Sequence, residues 1–259
     1  MSWQRKVGAA IVALVAFAAL LSLVWTPYDP LQTEVAARLQ GSSATHWMGT
    51  DQFGRDILSR VMDGARLTLT VAVGAVGLSG LIGVPLGIWA GMRRGASRVV
   101  MAGADLLLAF PALLLAIVFT AVFGASIWIV VLAIGIAGIP AFVRVARAGT
   151  MQVMQRDYIL AARIAKVSGP AIAWRHVLPN IWPLVLTQVS VAVALAILAE
   201  AGLSFLGLGA PAPYASWGRM LQASQPYLAT SPHLALWPGA AIALTVLGFN
   251  LLGHADDRR

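Results

Sequence analysis

The chain has 259 residues, of which 59% are hydrophobic and 11% are charged, and its mean hydropathy is +0.81. Soluble domains carry roughly 25% charged residues, so this composition argues against a soluble enzyme, and it excludes a disordered chain. The absence of cysteine excludes disulfides, thiol catalysis and cysteine-ligated metal centres. The formal net charge of +8 leaves nucleic-acid binding open until the charges are placed.

Six segments with few or no charges are long enough to cross a bilayer, which requires ~20 apolar residues. The third is expected to kink at Pro111, which removes a helix hydrogen bond. The first resembles a signal peptide but lacks a small-residue cleavage motif, so we expect an uncleaved anchor. The predicted spans are Val7–Trp25, Leu67–Met92, Val99–Phe123, Ile127–Val145, Ile181–Ala199 and Leu234–Gly253.

The lysines and arginines are distributed unequally between the loops. With the N-terminus in the cytoplasm, 13 of the 18 fall on the inner side and 5 on the outer side. Short loops rich in Lys and Arg face the cytoplasm. The positive charge therefore indicates orientation in a lipid membrane rather than a nucleic-acid partner, and it places both termini in the cytoplasm.

The sequence lacks the common catalytic motifs. There is no G-x-x-x-x-G-K-[ST] loop for ATP, no H-E-x-x-H and no G-x-S-x-G. The four histidines are scattered, without the spacing of metal ligands. We therefore predict a non-enzymatic chain that itself has no catalytic residue, no cofactor and no metal.

Residues 156–180, called the inner elbow below, form the longest predicted cytoplasmic loop. They favour a short helix up to Lys166, a break at Ser168-Gly169-Pro170, and a second short helix that Pro179 ends. Two interpretations stay open on physical grounds. The elbow either docks in a groove of a partner protein, where its small alanines allow close approach, or lies on lipid headgroups.

A charged motif precedes the second span. Asp51 and Arg55, and likewise Asp56 and Arg60, have the i,i+4 spacing of ion pairs on an exposed helix. We expect that helix to lie on the outer surface and to turn at Gly64 into the span. The charges then orient the span or contact a protein that arrives at the outer side, while a metal site is disfavoured because the aspartates do not share one helical face.

Asp105 and Glu200 are the two acids in apolar surroundings. Charges inside a membrane usually face protein or a water-filled path. We expect Asp105 near the inner end of the third span, and Glu200 near the outer end of the fifth, where it reaches water. Each either lines such a water-filled path or forms a hydrogen bond or salt bridge between subunits.

Three further features concern packing. Trp217 and Trp237 are expected to anchor the chain at the membrane interface, and residues 220–227 to form a short re-entrant or surface helix. Regularly spaced glycines should give the second span a small face for close helix packing. These are Gly74, Gly77, Gly80, Gly83 and Gly87.

The inner elbow resembles the signature loop of ABC-importer permeases, E-A-A-x-x-x-G-x(9)-I-x-L-P. Leu160-Ala161-Ala162 stands at Glu-Ala-Ala, Lys166 at the glycine, His176 at the isoleucine, and Leu178-Pro179 at the end. Leu160 and Lys166 depart from the pattern, and Gly169 is expected to supply the turn instead of Lys166. The resemblance implies an ATPase-coupling loop that comprises Asp157, Tyr158, Ala161, Ala162, Arg163, Lys166, Ser168, Gly169, Arg175, His176 and Pro179.

Two more segments, 49–66 and 199–218, resemble the dipeptide, oligopeptide and nickel permeases in their second-subunit branch. The resemblance implies an all-α polytopic fold of six transmembrane helices in a bacterial inner membrane, like the permeases of type I ABC importers. We divide it into an anchor helix and outer loop (1–66) and a five-helix core (67–259).

The same resemblance implies the partners. They are a homologous second permease, two cytoplasmic ATPases that hold ATP and Mg, and an extracytoplasmic substrate-binding protein. The chain would form half of the path for peptide uptake. Nickel or metallophore uptake is the alternative cargo, and an ion-coupled secondary transporter is the alternative class.

Overall fold

The computed structural model describes residues 3–209, 211 and 213–253, which contain ten α-helices and no β-strand. Two 3₁₀-helices (Val35–Ala37 and Gln225–Tyr227) and one π-helical turn (Ala173–Val177) accompany them. The α-helices are α1 (Trp3–Leu21), α2 (Ile57–Met92), α3 (Arg94–Leu108), α4 (Ala112–Phe123), α5 (Ile127–Val153), α6 (Asp157–Ile164), α7 (Gly169–Ile172), α8 (Leu178–Phe205), α9 (Trp217–Ser224) and α10 (His233–Gly253).

Five helical stretches are each long and apolar enough to cross a membrane, and α3 with α4 forms a sixth that is bent by 78° before Ala112. The side chain of Arg147 donates to Ser97 Oγ at 2.9 Å, so the end of α5 lies beside the start of α3. The 27 residues of α5 extend about 40 Å. Because only three residues join α4 to the far end of α5, the bent pair also crosses. The prediction of six spans, with a kink at Pro111, is confirmed.

The closest helix packing joins α2 to α5 through small residues. A Cβ added at Gly83 would lie 2.6 Å from Phe142 Cβ, and one at Gly87 would lie 2.6 Å from the Val143 carbonyl oxygen. The predicted glycine face is therefore confirmed at these two positions. It is wrong at Gly77, where an added Cβ would meet no atom within 4 Å.

The N-terminal helix α1 is held on the bundle by α10. A Cβ added at Gly8 would lie 2.7 Å from the Gly248 carbonyl oxygen, while most other side chains of α1 are exposed or half-buried. The division at residue 66 stays a prediction, but that boundary falls inside the continuous helix α2.

Helix α2 corrects the prediction of a separate outer helix that turns at Gly64. The helix starts at Ile57 and passes Gly64 without interruption. Gly64 is not a turn residue here: its missing side chain makes room for Trp217. Trp217 is fully buried, and its Nε1 donates to the Val61 carbonyl oxygen at 2.9 Å. Its predicted role as an interface anchor is therefore wrong. The short helix predicted over residues 220–227 begins instead at Trp217, as α9, and none of the residues of α9 is exposed.

Candidate functional site

The inner elbow is built on two buried contacts. In α6, Ile159 and Ala162 face the core, where they join Ile172 and Val177 from the stretch that follows. This spacing of three along α6 places both residues on one side of the helix. The elbow is therefore seated on its own bundle through one face only.

The opposite face of the elbow is exposed and apolar. Ile164 and Trp174 are 75% and 73% exposed, and Tyr158 and Leu160 are exposed beside them. Exposed side chains of this size in one short segment mark an interaction surface. Ala161 belongs to this exposed face, whereas Ala162 points inward.

Cationic side chains accompany this apolar face. Arg156, Arg163, Lys166 and Arg175 are exposed, as is Asp157 in the first turn of α6. Within the described ranges none of the five takes part in a salt bridge. The surface that a partner would meet is thus apolar with a positive rim.

The turn of the elbow is made by Lys166. Its φ is +57°, its N–H donates to the Arg163 carbonyl oxygen at 2.9 Å, and the Val167 N–H donates to the Ala162 carbonyl oxygen at 3.0 Å. This pair of bonds is the Schellman arrangement, in which a left-handed residue closes the end of a helix. The prediction that Gly169 supplies the turn is wrong, because Gly169 lies inside the first turn of α7.

Pro179 does not end the second helix as predicted. The π-helical turn precedes it, with the Leu178 N–H donating to the Ala173 carbonyl oxygen, and the helix then continues to Phe205. The wider turn shifts the hydrogen bonds by one residue just before the proline, which has no N–H to donate. One continuous helix therefore runs from Gly169 to Phe205.

The remaining elbow residues are ordered around this turn. Ser168 is the extended residue that precedes α7, although its side chain makes no capping bond. His176 is half-buried, and its ring centroid lies 6.2 Å from that of Tyr158. These contacts hold α6 against the start of the long helix.

At the opposite end of the bundle, Asp51 organises the outer-face motif. Its carboxylate lies 2.7 Å from Arg55 Nε, as predicted, and 3.6 Å from Arg60 Nε. Arg60 Nη1 also donates to the Pro30 carbonyl oxygen at 2.9 Å. The predicted pair of Asp56 with Arg60 is wrong, since Arg60 bridges Asp51 and the preceding loop instead.

Asp56 is the N-cap of α2. Its Oδ2 accepts from the Ser59 N–H at 2.8 Å and from Ser59 Oγ at 2.7 Å, while its Oδ1 lies 3.0 Å from His46 Nδ1. Both His46 and Asp56 are buried. Sequence reasoning missed His46, and the only available signal was an aspartate just before an apolar helix, which is typical of an N-cap.

Glu200 lies inside the chain rather than in reach of water. It is 1% exposed, accepts from Thr68 Oγ1 at 3.1 Å and from Ser204 Oγ at 2.6 Å, and links α2 to α8. Hydrogen bonds satisfy a buried carboxylate that would otherwise be costly. Neither a water path nor a second subunit is needed to account for its position.

Asp105 forms an ion pair within the chain. Arg144 Nη2 donates to Asp105 Oδ1 at 2.7 Å, and both side chains are more than half exposed. The pair joins α3 to α5 near the bend before α4. Sequence reasoning did not identify Arg144, because 39 residues separate the two and no local pattern connects them.

No group of three or more His, Asp or Glu side chains that could hold a metal ion is found in residues 3–209, 211 and 213–253. Asp51 and Asp56 instead use their carboxylates in the bonds described above.

Comparison with known proteins identifies the kind of chain. Residues 83–255 match the family described as the binding-protein-dependent transport system inner membrane component. This chain belongs to that family. Its inner elbow and outer motif are therefore features of a transport permease rather than of an enzyme, in a multi-pass protein of the inner membrane.

Curated permeases of the family resemble the chain along nearly its full length. A dipeptide transport system permease of Alkalihalophilus pseudofirmus is 38% identical over 248 residues, 95% of this chain and 82% of that protein. A glutathione transport system permease of Pectobacterium atrosepticum is 41% identical over 229 residues, covering 88% and 76%. A putative peptide transport system permease of Brucella suis is 38% identical over 248 residues, covering 96% and 84%.

Proposed function

We propose that this permease forms half of a transmembrane path for peptide uptake. It would pair with a homologous permease and two cytoplasmic ATPases that bind ATP and Mg, and would receive its cargo from an extracytoplasmic binding protein. The chain itself would bind no cofactor and perform no catalysis. The family is one of binding-protein-dependent systems, which favours this function over an ion-coupled secondary transporter.

The observation that carries the coupling role is the exposed face of the inner elbow. Ile164 and Trp174 offer apolar area to a partner, and the surrounding cations offer a polar rim. Protein interfaces combine such an apolar centre with a charged periphery. Docking into a groove of an ATPase accounts for this face better than headgroup contact, because a sharp turn at Lys166 projects α6 from the helix that follows.

The long helix from Gly169 to Phe205 supplies the mechanical link. Its 37 residues extend about 55 Å, and the bonds that Glu200 makes with Thr68 lie about 47 Å from its start at the elbow. Movement of the elbow by the ATPases would therefore reach the outer end of the path as a rigid-body rotation. Such rotations are a common form of switching between two states.

The proposed orientation places the elbow and both termini in the cytoplasm. Six crossings put both ends of the chain on one side, and the elbow lies on the same side, because it follows the end of α5 that contacts the start of α3. The excess of Lys and Arg on these segments supports the cytoplasmic assignment.

Peptides are the proposed cargo. The relatives are named for dipeptide, glutathione and peptide transport, and two of them cover at least 95% of this chain. Nickel or a metallophore is the competing cargo, and the test below distinguishes it.

The experiment is affinity purification of the chain from a bacterium that expresses all components, with Ala161→Trp as the probe. Ala161 is exposed on the elbow, so its replacement should leave the chain folded and displace the ATPases. Ala125→Trp, on the exposed turn between α4 and α5, is the matched control and should retain them.

The co-purified binding protein is then titrated with labelled dipeptides and with nickel. Retention of the ATPases by Ala161→Trp would contradict the coupling role, and binding of nickel alone would contradict the peptide cargo. Transport in liposomes by the chain alone, driven by an ion gradient, would overturn the assignment to an ATP-driven importer.

A further inference from the structure

A cleft of about 300 Å³ lies at the outer end of the bundle. It lies where the loop before α2, the first turn of α2, α9 and the start of α10 meet. We call it the outer cleft. Its polar and aromatic lining residues are Asp51, Gln52, Phe53, Arg55, Arg60, Arg219, Gln222 and Ser224.

Positive charge predominates in the outer cleft. Three arginines line it, from the loop, from α2 and from α9, against the single carboxylate of Asp51. Arg60 is close enough to Arg55 and Arg219 to be repelled by their positive charges. Asp63 also lies near Arg60 but is not part of the lining. A concave surface concentrates such a field toward a ligand of opposite charge.

The rim of the cleft is aromatic and held in place. Phe53 is half exposed, and the Arg55 guanidinium lies 4.6 Å from its ring centroid. Asp51 Oδ1 accepts from the N–H groups of Phe53 and Arg55 at 2.8 and 3.0 Å. Gly54 follows with a φ of +76°, packed so closely on the Glu34 backbone that a side chain would not fit. Because the backbone of this loop is already ordered, docking against Phe53 loses little backbone conformational entropy.

We infer that the outer cleft receives an acidic side chain of the extracytoplasmic binding protein, with Phe53 packing against the surface around that side chain. This inference rests on the proposed function, and it assigns the docking of that partner to one cleft. Arginine and aromatic side chains contribute much of the binding free energy at protein interfaces, and here the two lie side by side. The cleft volume suits one or two side chains of a docking protein rather than a whole peptide.

The test measures binding of the purified binding protein to the assembled permease–ATPase complex in nanodiscs, by surface plasmon resonance at several salt concentrations. Gln52→Glu adds a negative charge to the cleft while keeping the side-chain shape. We expect a three- to tenfold lower association rate at low salt, because charge at an interface acts mainly on encounter. The difference should shrink at high salt, where charges are screened.

The matched control is Gln32→Glu, which adds the same charge to an exposed position of the outer loop that does not line the cleft. It should change the association rate by less than about twofold, as expected for a charge away from the interface. A second variant, Phe53→Ser, should raise the dissociation rate with little effect on the salt dependence. Thermal midpoints of the variant complexes should match that of the wild type.

Equal effects of Gln52→Glu and Gln32→Glu would overturn the inference. So would an unchanged association rate combined with a raised KM for free peptides but not for amidated ones, which would make the substrate carboxylate the occupant. If the wild-type complex neither binds the binding protein nor is stimulated by it, the proposed function itself fails.

Discussion

At the outer end of the bundle, Asp51, Asp56 and Glu200 are buried and each is held by partners from this chain. At the inner elbow, Arg163 and Arg175 are exposed and make no salt bridge within the described residues. These three outer acids therefore stabilise the fold of this chain, whereas the two inner cations are exposed, in keeping with the partner surface proposed for the elbow. Charge content alone does not distinguish these roles, but burial does.

The sharpest test of this contrast uses adjacent residues of α6. Ile159→Glu should lower the free energy of unfolding by roughly 4 kcal/mol, because it removes a buried side chain and places a charge among apolar neighbours. Leu160→Glu should change it by less than about 0.5 kcal/mol, as expected for an exposed position. Both are measured by SDS titration of the purified chain. Equal losses would mean that the elbow has no inward and outward face.

The next test removes a buried polar group from the outer end. Asp56→Ala should cost roughly 2–3 kcal/mol, since it removes the N-cap of α2 and leaves the hydrogen-bonding groups of Ser59 and His46 without their partner. Asp63→Ala is the control, because the ion pair of Asp63 with the half-exposed Arg66 is long, at 3.9 Å. It should cost less than about 1 kcal/mol in the same titration. A comparable loss at Asp63 would show that the outer end depends on net charge rather than on these bonds.

The sequence allowed the spans to be predicted because hydropathy is a local property, and six crossings with a kink at Pro111 are present. It did not reveal the true start of α2. Arg60, Asp63 and Arg66 make that stretch look like a surface segment, yet contacts with Pro30 and with Asp51 of the loop before α2 bury Arg60. Partners that are far apart in sequence, such as Asp105 and Arg144, leave no local pattern.

Within the candidate site, neither predicted ion pair lies on the exposed helix that the sequence predicts, because Asp51 and Arg55 belong to the loop before α2, which contains Gly54 at a φ of +76°. The i,i+4 spacing correctly paired Asp51 with Arg55 but wrongly paired Asp56 with Arg60, because an N-cap carboxylate turns toward the backbone of its own helix. Pro179 failed as a stop signal because a π-helical turn accommodates it. The elbow turn was placed at Gly169 on the assumption that lysine avoids a positive φ.

That last assumption gives the smallest and most informative prediction. Lys166 has a φ of +57°, a conformation that costs a residue with a Cβ about 1–2 kcal/mol. Lys166→Gly removes that strain, but it also loses a cation near the C-terminus of α6, about 0.3–0.5 kcal/mol, and adds chain entropy to the unfolded state. We therefore expect a net gain of about 0.5–1 kcal/mol in the same titration. Lys166→Ala, which keeps the Cβ, should give none. A gain for both variants would mean that lysine is disfavoured there by its charge. A gain for glycine alone would show that the Cβ of Lys166 strains the turn at its positive φ.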